Sequence, residues 1–172
     1  MTSNLHATPE KGFTLVELVA VIVILGVLAA IAIPRFIDFA DEAQSASINA
    51  IAGSYKAGVD QVRAYWLAKG SPGPSLNLIK LPLAQAGGDL SVNVFGWPAD
   101  TRGVSLTLNS TNDCLDVWRA VLEIGAPSVA ATAAADFTAL YLGGNSCRYT
   151  YSANTAKSIQ FDSNTGQVTV NF

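Results

Sequence analysis

The chain has very little histidine and cysteine for its length. Its 172 residues include one histidine, His6, and two cysteines, Cys114 and Cys147. No histidine follows His6, so the rest of the chain has no imidazole to act as a general base or to bind zinc. The sequence also has no CxxC pair, no phosphate-cradling glycine motif and no nucleophile elbow. We therefore predict a protein that is not an enzyme and that uses no metal or cofactor.

Charged side chains are sparse as well. Asp, Glu, Lys and Arg make up 13% of the residues, and the net charge is −3. A protein that binds nucleic acid along a broad face needs a surplus of Lys and Arg there, so this balance argues against that function. Apolar residues, by contrast, are half of the total. The length fits one modest domain plus an extended element.

The apolar excess is concentrated near the N-terminus. The run from Phe13 to Ile33 contains only two polar side chains, Thr14 and Glu17. As a helix it would be about 30 Å long, which is the thickness of the hydrocarbon core of a bilayer. A carboxylate in lipid costs roughly 2–3 kcal/mol even on lenient scales, so Glu17 requires a partner.

Two general explanations of this run do not account for Glu17. A secretory signal would end in a small-x-small cleavage site, which Ala30-Ile31-Ala32 supplies, but its apolar stretch would be only about 7–15 residues long. A plain single-pass anchor explains the length but not an acid beside Gly12-Phe13. Lys11 on the N-terminal side favours an orientation that leaves the C-terminal part outside the cytoplasm.

The segment resembles the class III signal of type IV pilins and pseudopilins. That pattern is a polar leader ending in Gly, then Phe or Met, Thr, Leu, an aliphatic residue, Glu and a long apolar helix that usually ends near a proline. Here it is Lys11-Gly12, Phe13-Thr14-Leu15-Val16-Glu17 and Pro34. The resemblance implies that a prepilin peptidase cuts between Gly12 and Phe13 and methylates the new amino group of Phe13. It also implies that Glu17 pairs with that amine on a neighbouring copy, which makes Glu17 and Pro34 the predicted assembly residues.

Helical periodicity continues beyond the run. Pro34 removes one helical hydrogen bond and is expected to bend or loosen the helix. An apolar stripe of helical spacing follows at Ile48, Ile51, Tyr55, Val59, Val62 and Trp66. We predict one helix from near Thr14 to near Lys69, which is stopped by Gly70-Ser71-Pro72-Gly73-Pro74. Its length would be about 80 Å, which exceeds the size of a compact domain, so one half of the helix is expected to project. Glycines at 26, 53 and 58 weaken it by about 1 kcal/mol each.

Alternating apolar residues predict strands in the rest of the chain. The predicted strands are Ser91–Phe95, Val104–Leu108, Phe137–Leu142, Arg148–Tyr151, Ser158–Phe161 and Gln167–Phe172. Leu115–Ile124 is predicted to be helical, with Gly125 near its end. The fold class is then α+β: a long N-terminal helix, apolar in its projecting half and amphipathic in the half that packs on an antiparallel sheet. The predicted divisions are a leader at 1–12, an apolar transmembrane and assembly helix at 13–33, its amphipathic half at 34–69, and a head of loops and sheet at 70–172.

The two cysteines predict a disulfide if the protein is exported, although two unrelated free thiols remain the alternative. Closing that loop would stabilise the fold by about 3–4 kcal/mol. The order of helix and sheet also resembles the type IV pilin architecture, in which a C-terminal cysteine pair staples a loop to the sheet, as Cys114–Cys147 would do here. Three short motifs look like the mannose-sensitive haemagglutinin (MSHA) class of pilins: Pro34-Arg35-Phe36, Gly96-Trp97-Pro98 and Cys114-Leu115-Asp116-Val117-Trp118.

The resemblance implies a structural subunit of an MSHA-like type IV pilus. Such a protein sits in the lipid bilayer of the inner membrane, is processed by prepilin peptidase, and is polymerised with copies of itself by inner-membrane assembly machinery into an adhesive surface filament. The alternatives are a pseudopilin of a type II secretion system and a pilin whose filament binds DNA or sugar. The acidic balance argues against DNA as a general partner, while a carbohydrate or another surface target stays open.

A last motif near the C-terminus has two explanations. Asp162-Ser163-Asn164-Thr165-Gly166 resembles the start of a calcium loop, and pseudopilins bind calcium near their C-terminus. The glycine comes one residue early for such a loop. The turn preferences of Asp, Asn and Gly explain the same residues, so we predict a hairpin turn.

Overall fold

The structure is a computed structural model that describes residues 12–71, 73–81 and 88–172, apart from the side chains at positions 34 and 36–38. It contains two compact units, one reaching to Ala43 and the other formed by Gln44–Phe172. The helices are α1 (Leu15–Ala68) and α2 (Thr111–Val121). The strands are β1 (Ser75–Ile79), β2 (Leu90–Val92), β3 (Pro98–Asp100), β4 (Val129–Ala130), β5 (Phe137–Gly143), β6 (Ser146–Tyr151), β7 (Ser158–Asp162) and β8 (Gln167–Asn171).

Helix α1 confirms the long helix predicted from the sequence. It continues through position 34 and ends at Ala68, as the glycine that follows predicts. Gly70 adopts φ +83°, a left-handed conformation that glycine takes without a steric penalty. Its N–H donates to the carbonyl of Leu67, and the N–H of Ser71 donates to that of Trp66. This pair of bonds satisfies carbonyls at the helix end and is the Schellman arrangement.

The predicted apolar stripe on the second half of α1 forms one side of the hydrophobic core. Its buried members are Ile48, Tyr55, Val59, Val62 and Trp66, with Ala52 buried between them. Tyr55 lies within 5.6 Å, between ring centroids, of Trp118 on α2 and of Tyr149 and Phe161 on the sheet. Burial of aromatic and aliphatic side chains of this size supplies the main force that holds helix and sheet together.

The five-stranded sheet has the order β4-β5-β6-β7-β8. From β5 to β8 it is an antiparallel meander, whose paired positions Ala139, Tyr149, Ile159 and Val170 follow one another across the sheet. The first three of these are buried, so the predicted alternation places one face of the strands on the core. The two-residue β4 pairs with β5 in parallel, and the sequence did not predict it.

A second, three-stranded antiparallel sheet has the order β1-β2-β3. The prediction of a strand over Ser91–Phe95 was wrong in its second half, because β2 ends at Val92. The side chain of Asn93 turns the chain there: its Oδ1 accepts hydrogen bonds from the N–H groups of Phe95 and Trp97. An Asn that binds its own backbone two residues on is a turn former, which explains the early end.

The predicted strand at Val104–Leu108 does not form. The N–H groups of Val104 and Ser105 both donate to Oδ2 of Asp100, at 2.9 and 3.1 Å. The N–H of Thr107 donates to the hydroxyl of Ser105. Side-chain acceptors therefore take the hydrogen bonds that a strand would give to a neighbouring strand, and the segment is a loop.

Helix α2 starts four residues before the predicted Leu115 and ends three before Ile124. Ser110 caps it, accepting from the N–H of Asp113, while the carboxylate of Asp113 accepts from the N–H of Ser110. This capping box satisfies two helix-end donors and fixes the start. At the other end Leu122 is extended, so the helix stops at Val121.

A disulfide joins Cys114 on α2 to Cys147 on β6, with Cα atoms 5.7 Å apart. Both cysteines are fully buried. Next to the bond, the hydroxyl of Tyr149 donates to the carbonyl of Cys114 at 2.9 Å. The covalent link and the hydrogen bond together fix α2 against the sheet.

Candidate functional site: the N-terminal segment

Helix α1 begins with a reciprocal pair of hydrogen-bonded residues, Thr14 and Glu17. The backbone N–H and the hydroxyl of Thr14 both donate to Oε2 of Glu17, each at 2.8 Å. In return, the N–H of Glu17 donates to the hydroxyl oxygen of Thr14 at 3.3 Å. Threonine before a helix with glutamate three residues later is a capping box, which satisfies donors that the first helical turn leaves unpaired. The box therefore gives Glu17 a local structural role and a fixed orientation.

The capping box uses only one of the two carboxylate oxygens of Glu17. Among the described residues, no hydrogen bond reaches its Oε1. A carboxylate has room for about four hydrogen bonds, so capping leaves Oε1 able to accept one from another cation or donor. The side chain is exposed, as are all its neighbours from Gly12 to Leu25.

The predicted cleavage site precedes the helix. Gly12, Phe13 and Thr14 are non-helical and exposed, and the side chain of Phe13 is 84% accessible. A peptide bond outside regular structure can enter a protease site without unwinding a helix. Lys11 and the rest of the predicted leader lie outside the described residues.

The first half of α1 is long and apolar enough to cross a membrane. Leu15–Ile33 has a mean hydropathy of 3.0, and none of this segment is buried. Soluble monomers rarely expose an apolar surface of this extent, so the segment requires lipid or protein around it. Pro34 stands directly after this span, and its side chain lies outside the described atoms, so its assembly role stays a prediction.

A cluster of three carboxylates in the head is the arrangement that most resembles a metal site. One oxygen each from Asp100, Asp113 and Asp116 lies within 4.8 Å of the others. The cation among them is the guanidinium of Arg102, whose Nε is 3.1 Å from Asp100 and 2.9 Å from Asp116 and whose Nη2 contacts Asp113. The cluster is thus a salt-bridge network that ties the loop after β3 to the first turns of α2.

The network gives two of its carboxyl groups opposite pKa shifts. Burial by itself would raise the pKa of Asp100, but hydrogen bonds from the N–H groups of Arg102, Val104 and Ser105 hold it below its ordinary value. Burial raises the pKa of Asp116 above its ordinary value, because the attraction of Arg102 does not fully offset it. The sequence did not predict this cluster, since its members meet only through the tertiary fold.

The C-terminal turn has the geometry of a hairpin. Oδ1 of Asp162 accepts from the N–H of Asn164 at 2.7 Å, and the N–H of Gly166 donates to the carbonyl of Asp162 at 2.8 Å. The amide of Asn164 contacts Asn145 and the carbonyl of Gly144 in the neighbouring turn. These side chains are therefore engaged in fastening two turns together, as the hairpin interpretation predicts.

Two tryptophans of the head, which could contact a carbohydrate only if they were exposed, are packed inside it. Trp118 is 1% exposed and Trp97 7% exposed. The indole N–H of Trp118 donates to the carbonyl of Pro127, and the guanidinium of Arg63 lies 4.4 Å from the ring centroid of Trp97. Trp66 is likewise buried, as predicted for a core position.

Comparison with known proteins gives an independent result for the N-terminal segment. Residues 8–33 match the family model described as the prokaryotic N-terminal methylation motif. The matched residues include Gly12, Phe13 and Glu17, on which the resemblance to type IV pilins rests. No solved structure matches the chain.

Several curated pilins are similar to longer parts of the chain. The type IV narrow pilus major component of Thermus thermophilus is 54% identical over 46 residues, which are 27% of this chain and 40% of that protein. A fimbrial protein of Eikenella corrodens is 37% identical over 103 residues, 59% of this chain and 65% of that protein. The type IV major alpha-pilin of Moraxella bovis is 43% identical over 51 residues, 30% of this chain and 32% of that protein.

The chain thus spans between about a third and two thirds of the length of these relatives. They are pilus and fimbrial proteins rather than enzymes, which agrees with the prediction of a protein without catalytic activity. The α+β fold with a long apolar N-terminal helix is also the one predicted for a type IV pilin.

Proposed function

We propose that this chain is a structural subunit of a type IV pilus, of the MSHA-like class. The observation that carries the proposal is a membrane-length apolar span of α1, Leu15–Ile33, in which no residue is buried and which begins beside the carboxylate of Glu17. Packing this helix among copies of itself would keep its apolar surface out of water once it leaves the bilayer, and the packing contacts would supply the free energy of assembly. The similarity to pilus and fimbrial proteins supports the same conclusion.

The proposal assigns a role to each residue of the N-terminal segment. Prepilin peptidase cuts between Gly12 and Phe13 and methylates the amine that the cut creates. Glu17 then pairs with the Phe13 amine of a neighbouring subunit, because an unpaired carboxylate in a filament core is strongly penalised. The exposed Oε1, which the capping box leaves open, is the atom we assign to that contact.

The same proposal covers location and organisation. The precursor is held in the inner membrane by residues 13–33, with the head outside the cytoplasm, and inner-membrane assembly machinery moves it into a surface filament. Residues 1–12 are the leader, 34–69 the amphipathic half of the helix, and 70–172 the head. We extend the proposal to adhesion to a carbohydrate or another surface target, for which the head offers exposed apolar side chains such as Val104 and Ile124.

A pseudopilin of a type II secretion system has the same kind of N-terminus, so the deciding experiment must separate the two. A deletion strain is examined by electron microscopy for surface filaments and assayed for secreted enzymes. We expect filaments to disappear and secretion to continue, and we expect filaments to return when the gene is restored. Loss of secretion with filaments intact would identify a pseudopilin and overturn the proposal.

A further inference from the structure

Strand β8 forms one edge of the five-stranded sheet. It pairs with β7 on one side, and no strand of the described chain pairs with its other side. The pairing with β7 keeps one register from Gln167 to Asn171, so the edge carries no bulge. An edge strand presents a row of backbone N–H and C=O groups to which another strand can bind.

The usual protections of such an edge are missing from β8. Natural edge strands carry charged residues, proline or a bulge, each of which hinders pairing with another chain. No charged residue and no proline occurs between positions 163 and 172. Gln167, Thr169 and Asn171 are exposed along the strand. The edge of β8 is therefore open to a further strand.

The apolar face of the sheet also loses its cover at this edge. Ile159 and Phe161 on β7 are fully buried, whereas the β8 residues that pair with them, Val170 and Val168, are only half-buried. Both valines pack against the core, and the rest of their surface stays accessible. A strand that placed apolar side chains beside these valines would bury more of that surface and gain stability from it.

The residues of β8 are arranged symmetrically about Thr169. In either direction from Thr169, the next residue is a valine and the one after it carries a side-chain amide. A two-fold axis between two identical antiparallel strands places residues at equal distances from its centre opposite each other. An axis centred on Thr169 would therefore bring threonine opposite threonine, valine opposite valine and glutamine opposite asparagine.

We propose that β8 pairs in antiparallel orientation with β8 of a second copy of the chain, centred on Thr169, so that the two sheets become continuous. Val168 of one copy then lies opposite Val170 of the other on the inner face. On the outer face, Gln167 of one copy lies opposite Asn171 of the other. The pairing itself does not depend on the proposed function, although its consequence for filaments does.

The choice of a second copy as the occupant follows from the charge and chemistry of the edge. A two-fold axis brings the residue at its centre opposite itself, and like charges directly opposite each other destabilise a sheet. Since β8 carries no charge, its pairing with itself avoids this cost. Pairs of threonine and pairs of β-branched apolar residues stabilise neighbouring strands. A second β8 thus offers a compatible residue at every position of the edge.

One such contact is small, which decides where it can act. Strand β8 has five residues and is thus about 17 Å long. A stable interface buries roughly 800 Å² on each partner, more than one strand edge supplies. Filaments lying side by side would repeat the contact many times, and linked contacts raise the overall affinity. Because a two-fold contact closes on two copies and cannot propagate a filament, we assign it to subunits of neighbouring filaments.

Disulfide trapping in the full chain measures the register of the pair. Opposite residues of an antiparallel pair have Cα atoms about 4.5–5.5 Å apart, a distance that a disulfide spans. In detergent under mild oxidation, we expect Thr169→Cys to form covalent dimers. Gln167→Cys and Asn171→Cys should not do so alone, because their like-numbered cysteines would be about 14 Å apart. A mixture of these two variants should again give dimers.

The three positions form a matched set, since all are exposed on the same strand. Random collisions would therefore cross-link them equally. The native disulfide between Cys114 and Cys147 is buried and takes no part in the exchange. Equal dimer yields from the three single variants, or no dimers from Thr169→Cys and from the mixture, would overturn the inference.

Charge at the centre of β8 tests the consequence for filaments. Thr169→Lys places two lysines opposite each other, so its sheared filaments should stay separate in electron micrographs where wild-type filaments lie side by side. Thr169→Glu should act in the same way. A mixture of the two kinds of filament should associate again, because opposite charges then meet. The matched control Leu140→Lys adds the same charge to an exposed position of β5, in the same row of the sheet, and should leave association unchanged.

The outcomes separate this inference from the proposed function. If the chain forms no filaments but the register-specific dimers appear, the proposed function fails and the edge contact stands. If filaments form and those dimers do not appear, the edge contact alone fails. Wild-type filaments that stay separate, or Thr169→Lys filaments that associate as the wild type does, would overturn the role between filaments.

Discussion

Oε2 of Glu17 accepts two hydrogen bonds from Thr14, one from its backbone N–H and one from its hydroxyl, each 2.8 Å long. The carboxylate thus has a role within its own helix in addition to the one proposed between subunits. A loss of filaments after replacing Glu17 would not by itself tell the two roles apart. The chemistry of the replacement decides between them, because capping requires an acceptor and the intersubunit contact requires a negative charge.

We predict that Glu17→Gln stops filament growth as fully as Glu17→Leu. Glutamine keeps the capping box, since its amide oxygen accepts the same bonds, but it removes the charge that the Phe13 amine needs. Cleavage and membrane insertion should be largely unchanged in both variants. The measurements are sheared surface filaments, the size of the chain on immunoblots, and its recovery in the membrane fraction.

Thr14→Val is the matched control for capping. It removes the hydroxyl and should cost the helix start about 1 kcal/mol while leaving the carboxylate charged, so filaments should persist. Normal filaments from Glu17→Gln would show that the charge is not needed and would refute the intersubunit role.

Gly12→Val should block processing. A branched side chain just before the cut occupies space that glycine leaves open, in a segment that is exposed and non-helical. On an immunoblot the variant should migrate as the uncut precursor and yield no filaments. Val16→Ile, which adds one methylene four residues after Gly12, should be processed normally. A Gly12→Val chain cut at the wild-type rate would place the cleavage site elsewhere.

The sequence predicted those parts of the fold that depend on local periodicity. The stripe from Ile48 to Trp66 and the alternation across β5 to β8 are visible in the sequence because each side chain meets the core at a regular interval. The loop at Val104–Leu108 has the same alternation as a strand. It does not form a strand because the carboxylate of Asp100 accepts hydrogen bonds from two N–H groups of that segment.

Other misses have different causes. The start of α2 was predictable, because Ser110 and Asp113 stand at capping-box spacing, and the apolar pattern at Leu115 concealed it. The two-residue β4 is too short to give any periodic signal. The capping box of Thr14 and Glu17 was also predictable, because the two residues are three positions apart. An acid within an apolar run instead led to the prediction of a partner on another subunit.

The opposite pKa shifts of Asp100 and Asp116 predict unequal effects of neutralising them on the stability of the head. At neutral pH the fold favours the charged form of Asp100, so Asp100→Asn should destabilise the head by about 2 kcal/mol through lost charge-assisted hydrogen bonds. The fold disfavours the charge of Asp116, so Asp116→Asn should change stability by less than about 1 kcal/mol. Urea unfolding of the full chain in detergent, followed by tryptophan fluorescence, measures both.

The pH dependence of these variants follows from the same shifts. A carboxyl whose folded pKa is depressed stabilises the fold above its unfolded value, about 3.9, and loses that contribution as the pH falls towards the folded value. The gap between wild type and Asp100→Asn should therefore narrow below about pH 4. For Asp116 the folded pKa is raised, so protonation on acidification favours the fold, and no such narrowing is expected. Equal losses for both variants at pH 7 would contradict the assigned directions.

Gly58 and Gly53 lie on the same helix and predict opposite effects of adding a methyl group. A Cβ built on Gly58 would stand 2.0 Å from the carbonyl oxygen of Val121 at the end of α2, whereas one on Gly53 meets nothing within 4 Å. Gly58→Ala must push α1 and α2 apart and should cost about 1–3 kcal/mol. Gly53→Ala should stabilise the protein by up to about 1 kcal/mol, because alanine has the better helix propensity.

The two variants are compared by urea unfolding of the full chain in detergent, with the buried Trp118 on α2 as the reporter. Sequence alone gives both glycines the same penalty against alanine, so the difference between them tests the packing of α1 on α2 directly. If Gly58→Ala raised the unfolding midpoint as Gly53→Ala is expected to do, the two helices would not approach as closely at this point as their described contact requires.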